Sequence, residues 1–129
     1  MIVVDASVAL EILIRTPVGI RHTVRVANED VHAPHLIDVE FVNALRRLTL
    51  TGGLNRDTAN NALQGMRGWR LERHEHAPLL ERIWEMRNSV SAYDASYVVL
   101  AEALEAPLLT FDAKLSRAHG HRARIELLN

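Results

Sequence analysis

Cysteine is absent from the 129 residues. That excludes a disulfide scaffold, a thiolate metal site and a cysteine nucleophile, and it fits a reducing, cytoplasmic setting. Lysine is scarce: Lys114 is the only one among 15 basic residues, and the others are arginine. Arginine suits phosphate recognition, although codon bias in a GC-rich genome produces the same skew. An excess of one charge is missing too, since 15 Lys+Arg face 16 Asp+Glu for a formal charge of −1. A generally basic nucleic-acid-binding tail is thereby excluded, a local basic patch is not. No apolar run approaches the roughly 20 residues that span a bilayer. Asp5 interrupts the apolar start Met1–Val4 before a signal-peptide core can form. Neither membrane association nor export is therefore expected. Repeats, linkers and low-complexity runs are lacking, and with 48% hydrophobic residues the chain reads as a single globular domain over residues 1–129.

What is present alternates between two periodicities. The β-branched run Ile2-Val3-Val4 predicts a buried parallel strand. A helix-like segment containing Val8, Leu10, Ile12 and Leu13 follows, closing near Thr16-Pro17, and a second helix runs from Pro17 to about Asn28. Val31-His32-Ala33 predicts a strand stopped by Pro34. Ile37, Phe41, Ala44, Leu45 and Leu48 recur at helical spacing within about Leu36–Thr51, and Gly52-Gly53 ends that helix. Helices are further expected over Asn55–Arg67, Leu79–Arg87, Ala92–Leu104 and Ala113–Ala118. Strands are expected over Trp69–His74, Leu108–Phe111 and Ile125–Leu128. Such alternation predicts an α/β fold with a mainly parallel sheet and helices on both faces. In open parallel sheets ligands bind beyond the carboxyl ends of the strands, so the residues that follow each strand are the ones to inspect.

Acids stand there. Asp5 follows the first strand and Asp112 the strand Leu108–Phe111. Glu40 lies near the start of the helix entered after the second strand. Asp94 lies in the first turn of the helix leading to the fourth. Singly, Asp5 and Asp112 are good N-caps, and Glu40 fits a solvated helix position. Asp94 is different: its i+4 and i+7 neighbours are Val98 and Ala101, and no other charge occurs from Ala92 to Ala101. A carboxylate on such a face is part-buried and needs a cation, a hydrogen-bond donor or a raised pKa. If all four acids converge, two like charges 4 Å apart repel by about 4 kcal/mol at an effective dielectric near 20. A divalent cation offsets this, and oxygen-only ligands select Mg²⁺ or Mn²⁺ over zinc. The chemistry indicated is metal-dependent hydrolysis of a phosphate ester. Asn43 and Arg47 share a helix face with Glu40. Arg15, Arg46, Arg47 and Arg117 flank the motifs as candidates for tracking a nucleic-acid backbone.

Four segments, in order and at these spacings, carry a resemblance: VVDASV (Val3–Val8), IDVEFVNALRR (Ile37–Arg47), YDASYVVLAEAL (Tyr93–Leu104) and LLTFDAKL (Leu108–Leu115). Over nearly its whole length the chain resembles the PIN domain family, and within it the VapC-type toxins of bacterial toxin–antitoxin pairs. The resemblance implies a three-layer α/β/α fold with a five-stranded sheet in the order 3-2-1-4-5. It implies that Asp5, Glu40, Asp94 and Asp112 bind one or two Mg²⁺ or Mn²⁺ ions, supported by Ser7, Asn43 and Thr110. It further implies endoribonuclease cleavage leaving a 5′-phosphate and a 3′-hydroxyl. The implied partners are an RNA substrate, a second copy of the chain in a homodimer, and a VapB-type antitoxin that covers the site in a higher assembly. A stand-alone RNA-processing nuclease and a catalytically silent PIN-like binding module are the alternatives within the same fold.

Two other folds place acids after a first strand. A haloacid-dehalogenase-type phosphatase needs an Asp two residues after Asp5, where Ser7 stands. A phosphoacceptor receiver domain needs adjacent acids there and a Lys after a late strand, whereas Lys114 follows Asp112. The pairs His74-x-His76 and His119-x-His121 have metal-compatible spacing but read as surface residues, with a role for the second pair at the edge of the site left open. Trp69 and Trp84 read as core residues rather than base-stacking platforms.

Overall fold

The computed structural model describes residues 1–129. Its strands are β1 (Ile2–Val4), β2 (Val31–Pro34), β3 (Leu71–His74), β4 (Leu108–Thr110) and β5 (Ile125–Leu127). Its helices are α1 (Ala6–Leu13), α2 (Pro17–Ala27), α3 (Leu36–Leu50), α4 (Arg56–Gly68), α5 (Leu80–Glu85), α6 (Ala92–Leu104) and α7 (Ala113–Ser116), with a 3-10 turn at Ala77–Leu79. The sheet order is β3-β2-β1-β4-β5, and all four pairings are parallel. Parallel pairing forces a crossover after each strand, and the helices supply them.

The central strands β1 and β4 are buried along their whole length because both of their faces are covered. Ile2, Val3 and Val4 are fully buried, as are Leu108 and Leu109 opposite them. Helix α6 packs across β1, β2 and β4 with α5 beside it, and α1, α3 and α4 pack together on the sheet. Every residue of α6 from Ala95 to Ala101 is buried, so this helix has no solvated stripe and behaves as core. Asp94 stands at its entrance.

Helix ends follow local chemistry. Pro17 opens α2 at its first turn, with Thr16 as the cap. Helix α3 closes where Gly52 turns left-handed (φ +78°): the Gly52 N–H donates to Thr49 and the Gly53 N–H to Leu48. Gly19 lets α2 cross α1 closely, since a Cβ there would fall 1.9 Å from the Glu11 carbonyl oxygen. Trp69 packs partly buried against the core as expected, but Trp84 does not. It is 67% exposed, with the Arg87 guanidinium 4.5 Å from its ring centre. Helix α5 spans only six residues, too few for periodicity to say which side faces inward.

Candidate active site

The carboxyl ends of β1 and β4 lie side by side, because Val4 pairs with Leu109. The next residues, Asp5 and Thr110, are therefore neighbours. Asp5 is 6% exposed and has the donors a buried carboxylate requires. Its Oδ1 accepts from the Ser7 hydroxyl at 2.6 Å and from the Val8 N–H at 3.1 Å. Its Oδ2 accepts from the Thr110 hydroxyl. Both hydroxyls are used twice, since each also accepts a backbone N–H from the β4 end. Ser7 takes that of Phe111 at 3.0 Å and Thr110 that of Asp112 at 2.9 Å. Ser7 and Thr110 thus brace Asp5 between the two strand ends. Capping and site-building are not alternatives here: Asp5 caps α1 and Asp112 caps α7 through the Lys114 N–H.

Glu40 projects from the second turn of α3, and its Oε1 accepts from the Tyr97 hydroxyl at 2.5 Å. Asp94 follows the Ser91 cap of α6. Its carboxylate is half-buried, accepts no hydrogen bond from the protein, and feels Lys114 only at a distance. The acids act on one another in sequence round the edge: Asp5 with Asp112, Asp112 with Asp94, and Asp94 with Glu40. Burial pushes the carboxyls of Asp5, Glu40 and Asp94 above their usual range. The neighbouring negative charge adds to the rise in each, and the hydroxyl and N–H donors of Asp5 and the Tyr97 hydroxyl on Glu40 oppose it. The Tyr97 phenol is itself pushed far up, by burial first and then by Glu40, Asp5 and Asp94.

No three of these acids bring an oxygen each within 4.8 Å of one another. Each of Asp5, Glu40 and Asp112 is held by its own donors. The donor set is oxygen throughout, which fits a hard divalent cation. Asp94, half-buried and without a donor, is the carboxylate most in need of one.

Beside the acids runs a groove of about 280 Å³ between α1 and α3, lined by Ser7, Leu10, Glu40, Asn43 and Arg47 among others. Asn43 and Arg47 therefore stand where their spacing from Glu40 puts them. Arg46 is exposed on α3 outside this lining, and Arg117 is exposed just after α7. Arg15 is set apart. It lies beyond the far end of α1, about 12 Å of helix from Asp5, in a left-handed turn at φ +60°. The second histidine pair makes no hydrogen bond to the acids: the His119 backbone N–H donates to Ser89, 30 residues earlier, and Nε2 of His121 contacts the Ala118 carbonyl. Tyr97 is the site residue that sequence reasoning missed. Its signal was its position, i+3 from Asp94, which puts both on one face of α6.

A PIN domain family model matches residues 2–120. The chain belongs to the PIN domain family. This PIN domain is 46% identical over 116 residues to VapC ribonuclease Mb0985 of Mycobacterium bovis, covering 90% of this chain and 89% of that one. It is 35% identical over 128 residues to ribonuclease VapC12 of Mycobacterium tuberculosis, covering 99% of each. Among solved structures it is similar to PAE2754 from Pyrobaculum aerophilum, with a TM-score of 0.67 and 25% identity over 95% of this chain and 81% of that one. The same fold occurs in VapBC2 from Rickettsia felis, crystallised with a DNA fragment from its promoter, with a TM-score of 0.70, 15% identity and full coverage of both chains. The sheet order and the parallel pairing implied by the resemblance are those found. No helix is long and apolar enough to cross a membrane.

Proposed function

We propose that this PIN domain is a VapC-type endoribonuclease, a toxin that hydrolyses RNA phosphodiester bonds with Mg²⁺ or Mn²⁺ at Asp5, Glu40, Asp94 and Asp112. What supports the reading is a row of four acids from four separate segments along the carboxyl edge of the sheet, each within electrostatic reach of the next, with Asp94 half-buried and lacking any donor. Such a cluster opposes folding unless cations occupy it. The relatives' names as ribonucleases supply the substrate class.

Held by these oxygens, one or two such ions would supply positive charge toward a phosphate and the activation of a water for attack. The chain's own part is positioning. Ser7 and Thr110 fix both oxygens of Asp5, leaving the orientation of that carboxylate little freedom. Tyr97 fixes Glu40. Asn43 and Arg47 line the groove leading away from Glu40, where they contact the RNA backbone, and Arg46 and Arg117 extend the contact outward. Arg15 is distant enough that only a long substrate reaches it. The resemblance to VapC toxins adds a homodimer, an antitoxin of VapB type that covers the acidic edge, and action in the cytoplasm.

Cleavage of total RNA by the purified chain tests this. EDTA abolishes cleavage, Mn²⁺ or Mg²⁺ restores it, and Asp94→Asn lowers it at least about a hundredfold while its far-UV spectrum stays unchanged. Cleavage that persists in EDTA, or a fully active Asp94→Asn variant, removes the assignment. Co-expression with the product of an adjacent small gene should silence cleavage and yield a complex that co-purifies.

A further inference from the structure

A second set of ligands lies away from the acidic edge, on the β2–β3 pair. Their register sets His32 opposite Glu72 and Pro34 opposite His74, so His32, Glu72 and His74 leave one face of the two strands. Asp30, two residues before His32, joins them. His32 is 4% exposed. Its Nδ1 stands 2.8 Å from Nε2 of His74 and 3.4 Å from Oε2 of Glu72. Its Nε2 stands 3.1 Å from Oδ2 of Asp30. One ligand atom from each of His32, Glu72 and His74 falls within 4.8 Å of the other two. The partner of His74 is thus not His76, whose Nε2 accepts the Leu36 N–H at 3.0 Å, but a histidine 42 residues earlier.

Two features separate this cluster from a solvated group of charges. A carboxylate accepts hydrogen bonds and does not donate them, so the contact with Asp30 places a hydrogen on Nε2 of neutral His32 and leaves Nδ1 as a bare lone pair. The Nε2–H of His74 then donates to that lone pair at 2.8 Å, with the Glu72 carboxylate 3.4 Å away, and a cation that takes both nitrogens moves this hydrogen to Nδ1 of His74. In addition, a carboxylate on the outer ring nitrogen is the arrangement that orients metal-ligating imidazoles and raises their basicity. Tetrahedral ligands about 2.0–2.1 Å from zinc stand about 3.3 Å apart. The separation of His32 and Glu72 already matches, and the imidazole pair has to open by about 0.5 Å. Glu72 is exposed and β3 is an edge strand, so both can adjust.

We infer that His32, Glu72 and His74 form a site for a borderline divalent cation such as Zn²⁺, with solvent as the fourth ligand and Asp30 as a positioning residue. Two imidazoles and one carboxylate favour zinc, cobalt or nickel over Mg²⁺, the reverse of the preference at the acidic edge. The site shares no residue with that edge and ties the edge strand β3 to β2.

The untagged full-length chain, stripped with EDTA and returned to excess Mg²⁺, is titrated with Co²⁺ and then Zn²⁺. One equivalent of Co²⁺ is expected, with the intense visible bands of a four- or five-coordinate site containing nitrogen. Zn²⁺ displaces it and raises the Tm. His74→Gln and Glu72→Gln each weaken Zn²⁺ binding by at least about tenfold, Asp30→Asn by about 10- to 100-fold, and Asp94→Asn leaves it unchanged. Failure of the stripped chain to take up Co²⁺ under excess Mg²⁺ overturns the inference, as do weak bands of an all-oxygen octahedral site. Bands that Asp94→Asn removes, or that survive both His74→Gln and Glu72→Gln, overturn it equally. The band intensity decides the matter even if a variant does not fold.

Discussion

At the scale of single residues, the site is built from side chains that answer one another's hydrogen-bonding needs. Tyr97 shows this best. Its ring fills the core at 1% exposure while its hydroxyl reaches Glu40. The bond holds the Glu40 carboxyl lower than burial alone would leave it. Tyr97→Phe keeps the ring and removes the bond. Glu40 then rises further, and the acid limb of the rate–pH profile moves to higher pH. We expect cleavage to be lost mainly on the acid side of the profile and to recover as pH rises, with stability changed by no more than about 1–2 kcal/mol. A pH series of initial rates on both proteins checks it. An unshifted acid limb shows that the bond does not govern Glu40. Asp5, Asp94 and Asp112 were legible in the sequence because each follows or enters an element whose apolar pattern is plain. Tyr97 was not, because a tyrosine at a buried helical position looks like any core residue until its hydroxyl's partner, 57 residues away, is known.

Elements were legible in proportion to their length and to the clarity of their ends. Helix α3 is found over Leu36–Leu50 with the Gly52-Gly53 stop that the sequence announces, and α6 agrees with its expected bounds. Strand β3 begins at Leu71 rather than Trp69 because Trp69 closes α4, its N–H donating to Met66. The expected helix Leu79–Arg87 is shortened to the six-residue α5, preceded by the 3-10 turn Ala77–Leu79, and so short a helix has no periodicity to tell that Ile83 rather than Trp84 faces the core. Helix α6 also ends without the glycine that such ends favour: Glu105 takes the left-handed conformation at φ +51°, and the Ala106 N–H returns to the Ala101 carbonyl. A side chain in that conformation costs about 1–2 kcal/mol. Glu105→Gly removes most of this strain but adds freedom to the unfolded chain. The net expectation is a gain of about 0.5–1 kcal/mol in urea unfolding. RNA cleavage is expected to stay unchanged, since Glu105 closes the end of α6 opposite Asp94. A loss of stability would show that the Glu105 side chain contributes more than its backbone costs.

For the whole molecule, the alternation of elements announces a parallel sheet, but strand order does not follow from periodicity. That order came from resemblance, and it decides which distant residues meet. It brings β1 beside β4, and so Asp5 beside Thr110; it brings β2 beside β3, and so His32 beside His74. The acidic edge makes the stability of the entire domain depend on pH and cation. Asp5, Glu40 and Asp94 bind protons more tightly folded than their ordinary values of 3.8, 4.5 and 3.8. Their contribution is therefore fully present below about pH 4 and is lost as pH rises through the elevated values. Glu102 works in the opposite sense. Arg82 binds it through two hydrogen bonds at 2.9 and 3.0 Å and holds its carboxyl low, giving stability that is present above 4.5 and lost as pH falls. The raw pH curve mixes both, so the informative quantity is the difference between wild type and Asp94→Asn. In EDTA the variant should be the more stable protein at pH 7, and the gap should close toward pH 3. Adding Mg²⁺ at ten times its dissociation constant should raise the wild type by about 1.4 kcal/mol and the variant by much less, reversing or closing the gap at pH 7. Chemical unfolding at pH 3, 5 and 7, with and without Mg²⁺, measures all of these terms together. A gap that ignores both pH and Mg²⁺ would mean that Asp94 bears no charge that the fold has to accommodate.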